Sequence, residues 1–290
     1  MTRLALLGAV VCVSTAAIFI RMASAAPPLV VGAWRVGLAA LVLAAISRGA
    51  LARSVRALTP RALAAIAVSG LLLALHFGVW IQSLYVTSLA NSVVIVATQP
   101  LWAALLAPPM LGERPSGRAL AGAAVAMAGC ALLGGLRAPG GGDWLALAGA
   151  VTAAAHLTVG RSLRHALPLL PYLALVNFVA AVTLATAAWI AGAPLLGAPR
   201  DTWIWLVLLA LVPSLGGHTL LNFAARRVPA YLVSLAILGE PVGAILLGWA
   251  LLGDAPPIRA VAGGAIVLCG VAWGLGGQSA RREAAVLRPS

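Results

Sequence analysis

Apolar runs long enough to cross the roughly 30 Å hydrocarbon core of a bilayer as helices recur along the whole chain of 290 residues. Hydrophobic residues make up 62% of the chain and charged residues 9%. That is too little charge to cover the surface of a soluble protein. The strands of a membrane barrel would alternate polar and apolar residues, and the sequence shows no such alternation. We therefore predict an all-α integral membrane protein.

Interruptions at Pro, Gly and Arg residues divide the chain into ten predicted transmembrane helices. The first of them resembles a cleaved signal peptide. Its apolar run is long for such a segment, however, and the repeat described below requires it, so we keep it as a helix. The ten predicted spans are 4–21, 28–47, 62–82, 90–111, 118–136, 144–161, 171–191, 203–223, 230–252 and 258–277.

The formal net charge of +13 comes from nineteen basic residues, all of them Arg. Most lie in short connections, where they set the orientation of a membrane protein, so we expect no nucleic-acid partner. With both termini in the cytoplasm, fourteen Arg fall inside and four outside (Arg21, Arg137, Arg200 and Arg259). Trp144, Trp189, Trp203 and Trp205 then lie at the predicted outer boundary. This distribution favours a bacterial-type inner membrane with cytoplasmic termini.

The second half of the chain repeats the first at a shift of 141 residues. Each half has five predicted helices, an odd number, so the second half must insert upside down. Inverted repeats are typical of transporters that open a central site alternately to the two sides. We expect repeats at 1–139 and 140–280 and a cytoplasmic tail at 281–290. The shift pairs Pro100 with Pro241, Gly112 with Gly253, Glu113 with Asp254, Pro115 with Pro256, Arg118 with Arg259 and Gly129 with Gly270.

The segments TQPLWAALLAPPMLGERPSGRALAGAAVAMAGCALL and LGEPVGAILLGWALLGDAPPIRAVAGGAIVLCGVAW resemble the two repeats of the drug/metabolite transporter superfamily, in its EamA-type branch. Arg35, in WRVGLAA, resembles the second-helix Arg of that branch. The chain is similar in size and layout to the aromatic amino-acid exporters. The resemblance implies ten helices around a central cavity and export of amino acids or other small metabolites. Asp254 departs from the usual Glu of the second repeat.

Polar side chains on several helices share one face at a 3.6-residue period and could line that cavity. Aromatic rings and a few hydrogen-bond donors would hold a zwitterion or a planar ring. Alternatively, such residues join neighbouring helices through hydrogen bonds. We favour this second role for Ser and Thr, and both roles stay open for the others. The candidate substrate-binding residues are His76, Trp80, Gln99, Trp102, His156, His218, Asn222 and Arg35.

Glu240 is the only acidic residue well inside a predicted helix, and its repeat mate is Gln99. It could couple transport to protons, pair with a substrate amine, or play a structural role beside Pro241. Arg35 could extend to the outer surface, meet a substrate carboxylate, or serve the structure. We expect Glu113 and Asp254 to cap turns and pair with nearby Arg. The spacings Gly239/Gly243 and Gly270/Gly274 suit close packing of helices, either at a sliding interface or in a homodimer.

These observations predict a secondary transporter of small metabolites, most simply an amino-acid exporter with alternating access. An exporter of drugs or other cationic amphiphiles by proton antiport is the alternative. An intramembrane enzyme would need clustered His and Asp or a nucleophile beside a Gly-rich turn, and neither pattern is present, so we predict no catalytic residues. The Cys and His spacings predict no metal site, and the absence of a phosphate-binding loop argues against ATP. We expect no cofactor.

Overall fold

The computed structural model describes residues 1–134, 140–163, 166–252 and 258–286, which are almost entirely helical and contain no β-strand. Several residues used in the sequence predictions therefore lie outside the described part of the chain. They are Arg137, Arg164, Gly253, Asp254, Pro256 and Arg288, the last within the predicted tail.

Five helical elements form the first half of the described chain. Two of them are interrupted: α1 at Thr15, and α4 at residues 97–98. The elements are α1 (Thr2–Ser14 and Ala16–Met22), α2 (Pro28–Arg56), α3 (Pro60–Val86), α4 (Leu89–Val96 and Gln99–Leu111) and α5 (Gly117–Gly134).

Five more elements follow in the second half. Element α8 contains a π-helical segment, and α9 is interrupted at residues 238–239. The elements are α6 (Gly141–Ser162), α7 (Leu169–Ile190), α8 (Arg200–Leu209, Ala210–His218 and Thr219–Ala225), α9 (Ala230–Ile237 and Glu240–Leu252) and α10 (Ile258–Val286).

Eight of the elements in the described chain are long and apolar enough to cross a membrane. The other two are α5, whose apolar part is Gly117–Leu133, and α6, so a count of ten transmembrane helices stays a prediction. The largest differences from the predicted spans are in α2, which continues to Arg56 instead of ending at residue 47, and in α10, which continues to Val286 instead of ending at residue 277. The Ala, Leu and Arg residues between these points favour helix even where the chain leaves the apolar layer.

The way the elements pack reflects the repeat. Elements that correspond in the two halves contact each other directly: α2 with α7, α4 with α9, and α5 with α10. Other contacts also occur in matching pairs. Element α3 packs on α6, and their counterparts in the other half, α8 and α1, pack on each other. A pseudo-two-fold axis between the halves produces this arrangement.

Backbone contact between α5 and α10 is closest at glycines that the repeat pairs. A Cβ atom on Gly122 would lie 2.7 Å from the carbonyl oxygen of Gly270, and one on Gly263 would lie 2.7 Å from that of Gly129. Gly122 pairs with Gly263 and Gly129 with Gly270 in the repeat, so the two contacts are equivalent. Residue numbers rise along one helix as they fall along the other, so the corresponding helices are antiparallel.

The other small-residue spacing is also used within the chain. A Cβ on Gly239 would lie 3.0 Å from Val10, and one on Gly243 would overlap Ser14, both on α1. Gly274 meets Gly122 and Leu235. These glycines therefore serve contacts inside one chain, and a homodimer stays a prediction without support from them.

We expect Gly270→Ala to lower the melting temperature of the detergent-solubilised protein by about 5 °C or more, since a Cβ there would lie 2.5 Å from the backbone nitrogen of Ala126. Gly248→Ala is the matched control, because no atom lies within 4 Å of its added Cβ. Alanine is the better helix former, so this variant should melt at the same or a higher temperature. Equal losses in both variants would contradict the proposed contact.

Candidate functional site

A cavity of about 50 Å³ lies among α1, α2, α3, α4, α6, α8 and α9. At roughly 10–15 Å³ for each water it has room for a few water molecules, whereas pockets that hold small-molecule ligands are on the order of 300 Å³ or larger. The bundle is thus closed around a small space. Eight residues predicted from the sequence line it: Arg35, His76, Trp80, Gln99, His156, His218, Asn222 and Glu240.

Trp102 is the candidate that the structure does not place among the cavity-lining residues. Its ring is partly buried and packs against the apolar clusters of both halves. Its indole nitrogen donates a hydrogen bond to the hydroxyl of Thr98, one turn earlier, at 3.3 Å. These contacts are those of a packing residue.

Two interrupted helices meet at the cavity, and their interruptions correspond. The first segments end at Val96 and Ile237, and the second begin at Gln99 and Glu240, in each case 141 residues apart. The cause lies in Pro100 and Pro241. Proline lacks the N–H that would bond to the carbonyl four residues earlier, and its ring clashes with that carbonyl. Discontinuous helices at the centre of a repeat are a feature of transporter binding sites.

Arg35 is fully buried and links the two halves. Its Nε donates to the hydroxyl of Ser214 at 2.8 Å, and its Nη2 donates to Nε2 of His218 at 3.3 Å. The guanidinium carbon lies 4.0 Å from the centre of the Phe77 ring, in a cation–π contact. Nη1 has no hydrogen-bond partner among the described residues. Arg35 does not extend to the surface, which was one of the roles the sequence left open.

A π-helical segment, Ala210–His218, presents the two partners of Arg35. It contains Pro213, which removes one backbone hydrogen bond, and Gly216 and Gly217, which pack against Cys12 and Val13 of α1. Single π-helical turns within α-helices are frequent at functional sites.

His76 and His156 are each held through Nδ1. Nδ1 of His76 donates to the carbonyl of Gly149 at 2.9 Å, and because a carbonyl only accepts, this ring carries its proton on Nδ1 and leaves Nε2 as an acceptor. Nδ1 of His156 lies 3.0 Å from the carbonyl oxygen of Ser69 and 3.1 Å from the hydroxyl of the same residue. The His76 ring also stacks on Trp80, with centroids 5.6 Å apart and planes 9° from parallel.

Glu240 and Gln99 are the corresponding residues that begin the second helix segments. The Gln99 amide donates to the hydroxyl of Ser234 at 3.2 Å. The Glu240 side chain is buried, and no described residue donates a hydrogen bond to its carboxylate. Nor does it form an ion pair with Arg35, although both line the same cavity. The cavity therefore contains a carboxylate and a guanidinium N–H that no neighbouring side chain satisfies.

One end of the bundle, here called the Arg21 end, is closed by a chain of polar contacts. Arg21, in the last turn of α1, donates to the carbonyl of Thr87 at 3.0 Å. The hydroxyl of Thr87 donates to the carboxylate of Asp143 at 2.9 Å, and that carboxylate accepts from the backbone of Gly140 at 2.7 Å. The contacts join α1, α3 and the start of α6.

The opposite end, the Arg161 end, is closed by a similar contact, although at the 141-residue shift Arg21 pairs with Ser162, the neighbour of Arg161. Arg161 is in the last turn of α6, the counterpart of α1, and donates to the carbonyl of Val228, the residue 141 positions after Thr87. It also donates to the carbonyl of Ala225 and to the carboxylate of Glu113. This pairing agrees with the expectation that Glu113 binds a nearby Arg. The Arg161 side chain is buried, whereas Arg21 is exposed, so this end is held more firmly.

Sequence reasoning missed three of these residues. Arg161 was counted only as a connecting-loop charge, although it follows an apolar run without interruption. Phe77 was read as one more apolar residue of α3. Tyr172 carries a hydroxyl that contacts Ser69 at 2.9 Å, behind His156, and no local pattern distinguishes it.

Comparison with known proteins gives consistent results. The model of the EamA-like transporter family matches the chain twice, over residues 2–135 and 140–275. A probable terminal-alkyne amino-acid exporter of Streptantibioticus cattleyicolor is 28% identical over 200 residues, and the match spans 61% of this chain and 61% of that protein. A crystal structure with 22% identity has a TM-score of 0.78, covering 94% of this chain and 96% of that chain, which shows a shared fold alone.

We expect Arg161→Ala to destabilise the protein by roughly 2–3 kcal/mol, because it leaves the half-buried carboxylate of Glu113 and two carbonyls without their donor. Arg227→Ala is the control. That side chain lies nearby but is exposed and contacts only its own helix, so its loss should change stability by less than about 0.5 kcal/mol. Thermal unfolding of both variants in the same detergent tests this, and equal melting temperatures would refute the role of Arg161.

Proposed function

The chain belongs to the EamA-like transporter family and is a multi-pass membrane protein, and on that premise we propose that it exports amino acids across a bacterial-type inner membrane. One observation carries the choice of substrate class. The closed cavity is lined by one basic and one acidic side chain, Arg35 and Glu240, which form no hydrogen bond or ion pair with each other, and Nη1 of Arg35 has no partner among the described residues. A zwitterion offers a counter-charge to both. The family relative whose name refers to amino-acid export is in keeping with this proposal.

We propose alternating access between two inverted five-helix repeats, with all ten helices crossing the membrane and both termini in the cytoplasm. The antiparallel contact of α5 with α10 supports the inversion, and the Arg distribution supports the orientation. The two ends of the bundle are closed by similar Arg contacts, at Arg21 and Arg161. Since the repeats are related by symmetry, opening either end requires the breaking of one such contact.

Glu240 offers a direct means of coupling export to protons. A carboxylate that carries a proton cannot pair with an ammonium group, so proton and substrate exclude each other at this side chain. Mutual exclusion at one site is the requirement for antiport. Burial at the first residue of a helix segment keeps the carboxylate close to both the cavity and the positive end of that segment.

An exporter of cationic amphiphiles by proton antiport is the second candidate. The observation that favours it is the presence of Glu240 as the cavity-lining acid in the described residues. Arg35 counts against it, because a fixed cation in the same small cavity repels a cationic substrate.

Uptake by the purified protein in liposomes, with each of the twenty labelled amino acids and propargylglycine, tests the main proposal. We expect saturable flux of at least one amino acid, stimulated by a pH gradient across the liposome, and no gradient stimulation in Glu240→Gln. Flux that ignores the gradient would indicate facilitated diffusion. If folded protein moves no amino acid but does move a cationic dye such as ethidium, the second candidate replaces the first.

We expect His76→Ala to raise the KM for the transported amino acid by roughly tenfold, because the lost ring lines the cavity and stacks on Trp80. Trp102→Phe should leave KM unchanged, since Trp102 packs outside the cavity-lining set. Both variants should elute from gel filtration like the parent protein. Equal increases in KM in the two variants would show that Trp102 also takes part in substrate binding.

A further inference from the structure

Two ionisable groups in the cavity have bonding capacity that the described residues leave unused, and the indole nitrogen of Trp80 is a third group without a partner there. Nη1 of Arg35 is buried and has no acceptor among the described residues, while the other two sides of the guanidinium are occupied by Ser214 and His218. The carboxylate of Glu240 receives no hydrogen bond from any described residue. A buried donor or charge without a partner is costly, so such groups are retained where a ligand satisfies them.

Many of the side chains that line the cavity around these groups are apolar. Around them the cavity wall is formed largely by aliphatic side chains from several helices and by the stacked rings of His76 and Trp80. The aliphatic residues that line it are Leu73, Val96, Leu157, Leu221 and Ile237. The wall therefore provides one basic point and one acidic point, and the rest combines these aliphatic side chains with the polar groups of Gln99, His156, His218 and Asn222.

The fixed orientation of Arg35 makes it suited to bind an oxyanion. Its guanidinium is held over the Phe77 ring and anchored through Nε and Nη2, so the direction of Nη1 is set before a ligand enters. Arg binds carboxylates through directed N–H groups, and little conformational entropy is lost when the fork is already ordered.

We propose that Nη1 of Arg35 binds the carboxylate of the substrate and Glu240 binds its ammonium group. The substrate is then an α-amino acid with an apolar side chain, unmodified at both of its charged groups. This assignment rests on the proposed function, and it adds which side chain binds which end of the substrate. Bound in this way, the zwitterion neutralises both side chains, and the cavity of about 50 Å³ has to widen to admit it.

The test uses the amino acid that the wild-type protein transports best and three analogues of it: the methyl ester, the decarboxylated amine and the N-acetyl derivative. Inhibition constants against labelled amino acid are measured in proteoliposomes. For wild type we expect each analogue to bind about 10- to 100-fold more weakly than the amino acid, the effect of losing one charge-assisted contact.

The variants should separate the two ends of the substrate. Arg35→Gln should weaken binding of the amino acid by a similar factor and leave the inhibition constants of the ester and the amine unchanged. Glu240→Gln should weaken binding of the amino acid and leave the inhibition constant of the N-acetyl derivative unchanged. Arg48→Gln and Asp201→Asn, two exposed residues, are the matched controls and should behave as wild type. If Arg35→Gln does not fold, Arg35→Lys keeps the charge and should retain the discrimination against the ester with a raised KM.

Two failures can be told apart. If wild type transports an amino acid but binds the analogues equally well, or if both variants weaken all four compounds alike, the assignment of Arg35 and Glu240 is wrong and the proposed function stands. If folded wild type transports no amino acid at all, the proposed function itself is wrong, and the assignment falls with it.

Discussion

Exclusion of water from an apolar bundle is the constraint on which this structure depends. Inside the bundle every interrupted helix and every charge must be compensated by the protein itself. The protein compensates most of the Arg35 guanidinium, because two hydrogen bonds and an aromatic ring surround a side chain with no exposed surface. Nη1 of Arg35 has no partner among the described residues, and the carboxyl group of Glu240 receives no hydrogen bond from them. In our proposal the substrate supplies the partner of each.

The two halves close the bundle at its two ends by similar contacts of unequal strength. Arg161 is bound to Glu113 and to two carbonyls, whereas Arg21 is exposed and donates to the carbonyl of Thr87. The helices α5 and α10, by contrast, meet backbone to backbone through glycines, and none of their described side chains lines the cavity. Rigid contact at one side of the bundle and separable polar contacts at the two ends are what a symmetric pair of halves needs in order to rock around a fixed centre.

The sequence predicted much of this fold because lipid imposes simple rules. Apolar runs located the helices to within a few residues, except in α2 and α10, where propensity extends the helix beyond the apolar run. The pairing of Pro100 with Pro241 predicted corresponding features, and the structure has corresponding helix interruptions there. Eight of the nine candidate residues line the cavity. Periodicity predicted most of them, whereas Arg35 came from the family resemblance and Glu240 from being the only acid well inside a predicted helix. Trp102 is not among the lining residues, because a period gives the face of a helix but neither the depth of the cavity nor the displacement that follows an interruption. The burial of Arg161 depends on Glu113, forty-eight residues earlier, a distance over which local patterns carry no information.

The charges in the cavity determine the energetics of the proposed cycle. When a zwitterion is bound between Arg35 and an ionised Glu240, the charges in the cavity sum to zero, so the loaded form carries no net charge across the membrane. When the substrate has left and Glu240 carries a proton, Arg35 alone remains and the cavity holds one positive charge. Each export event therefore returns one positive charge to the cytoplasmic side. A membrane potential that is negative inside favours that step by roughly 2.3 kcal/mol per 100 mV. In such a cycle the potential adds to the pH gradient in driving export, which facilitated diffusion of the same zwitterion through the same cavity would not allow.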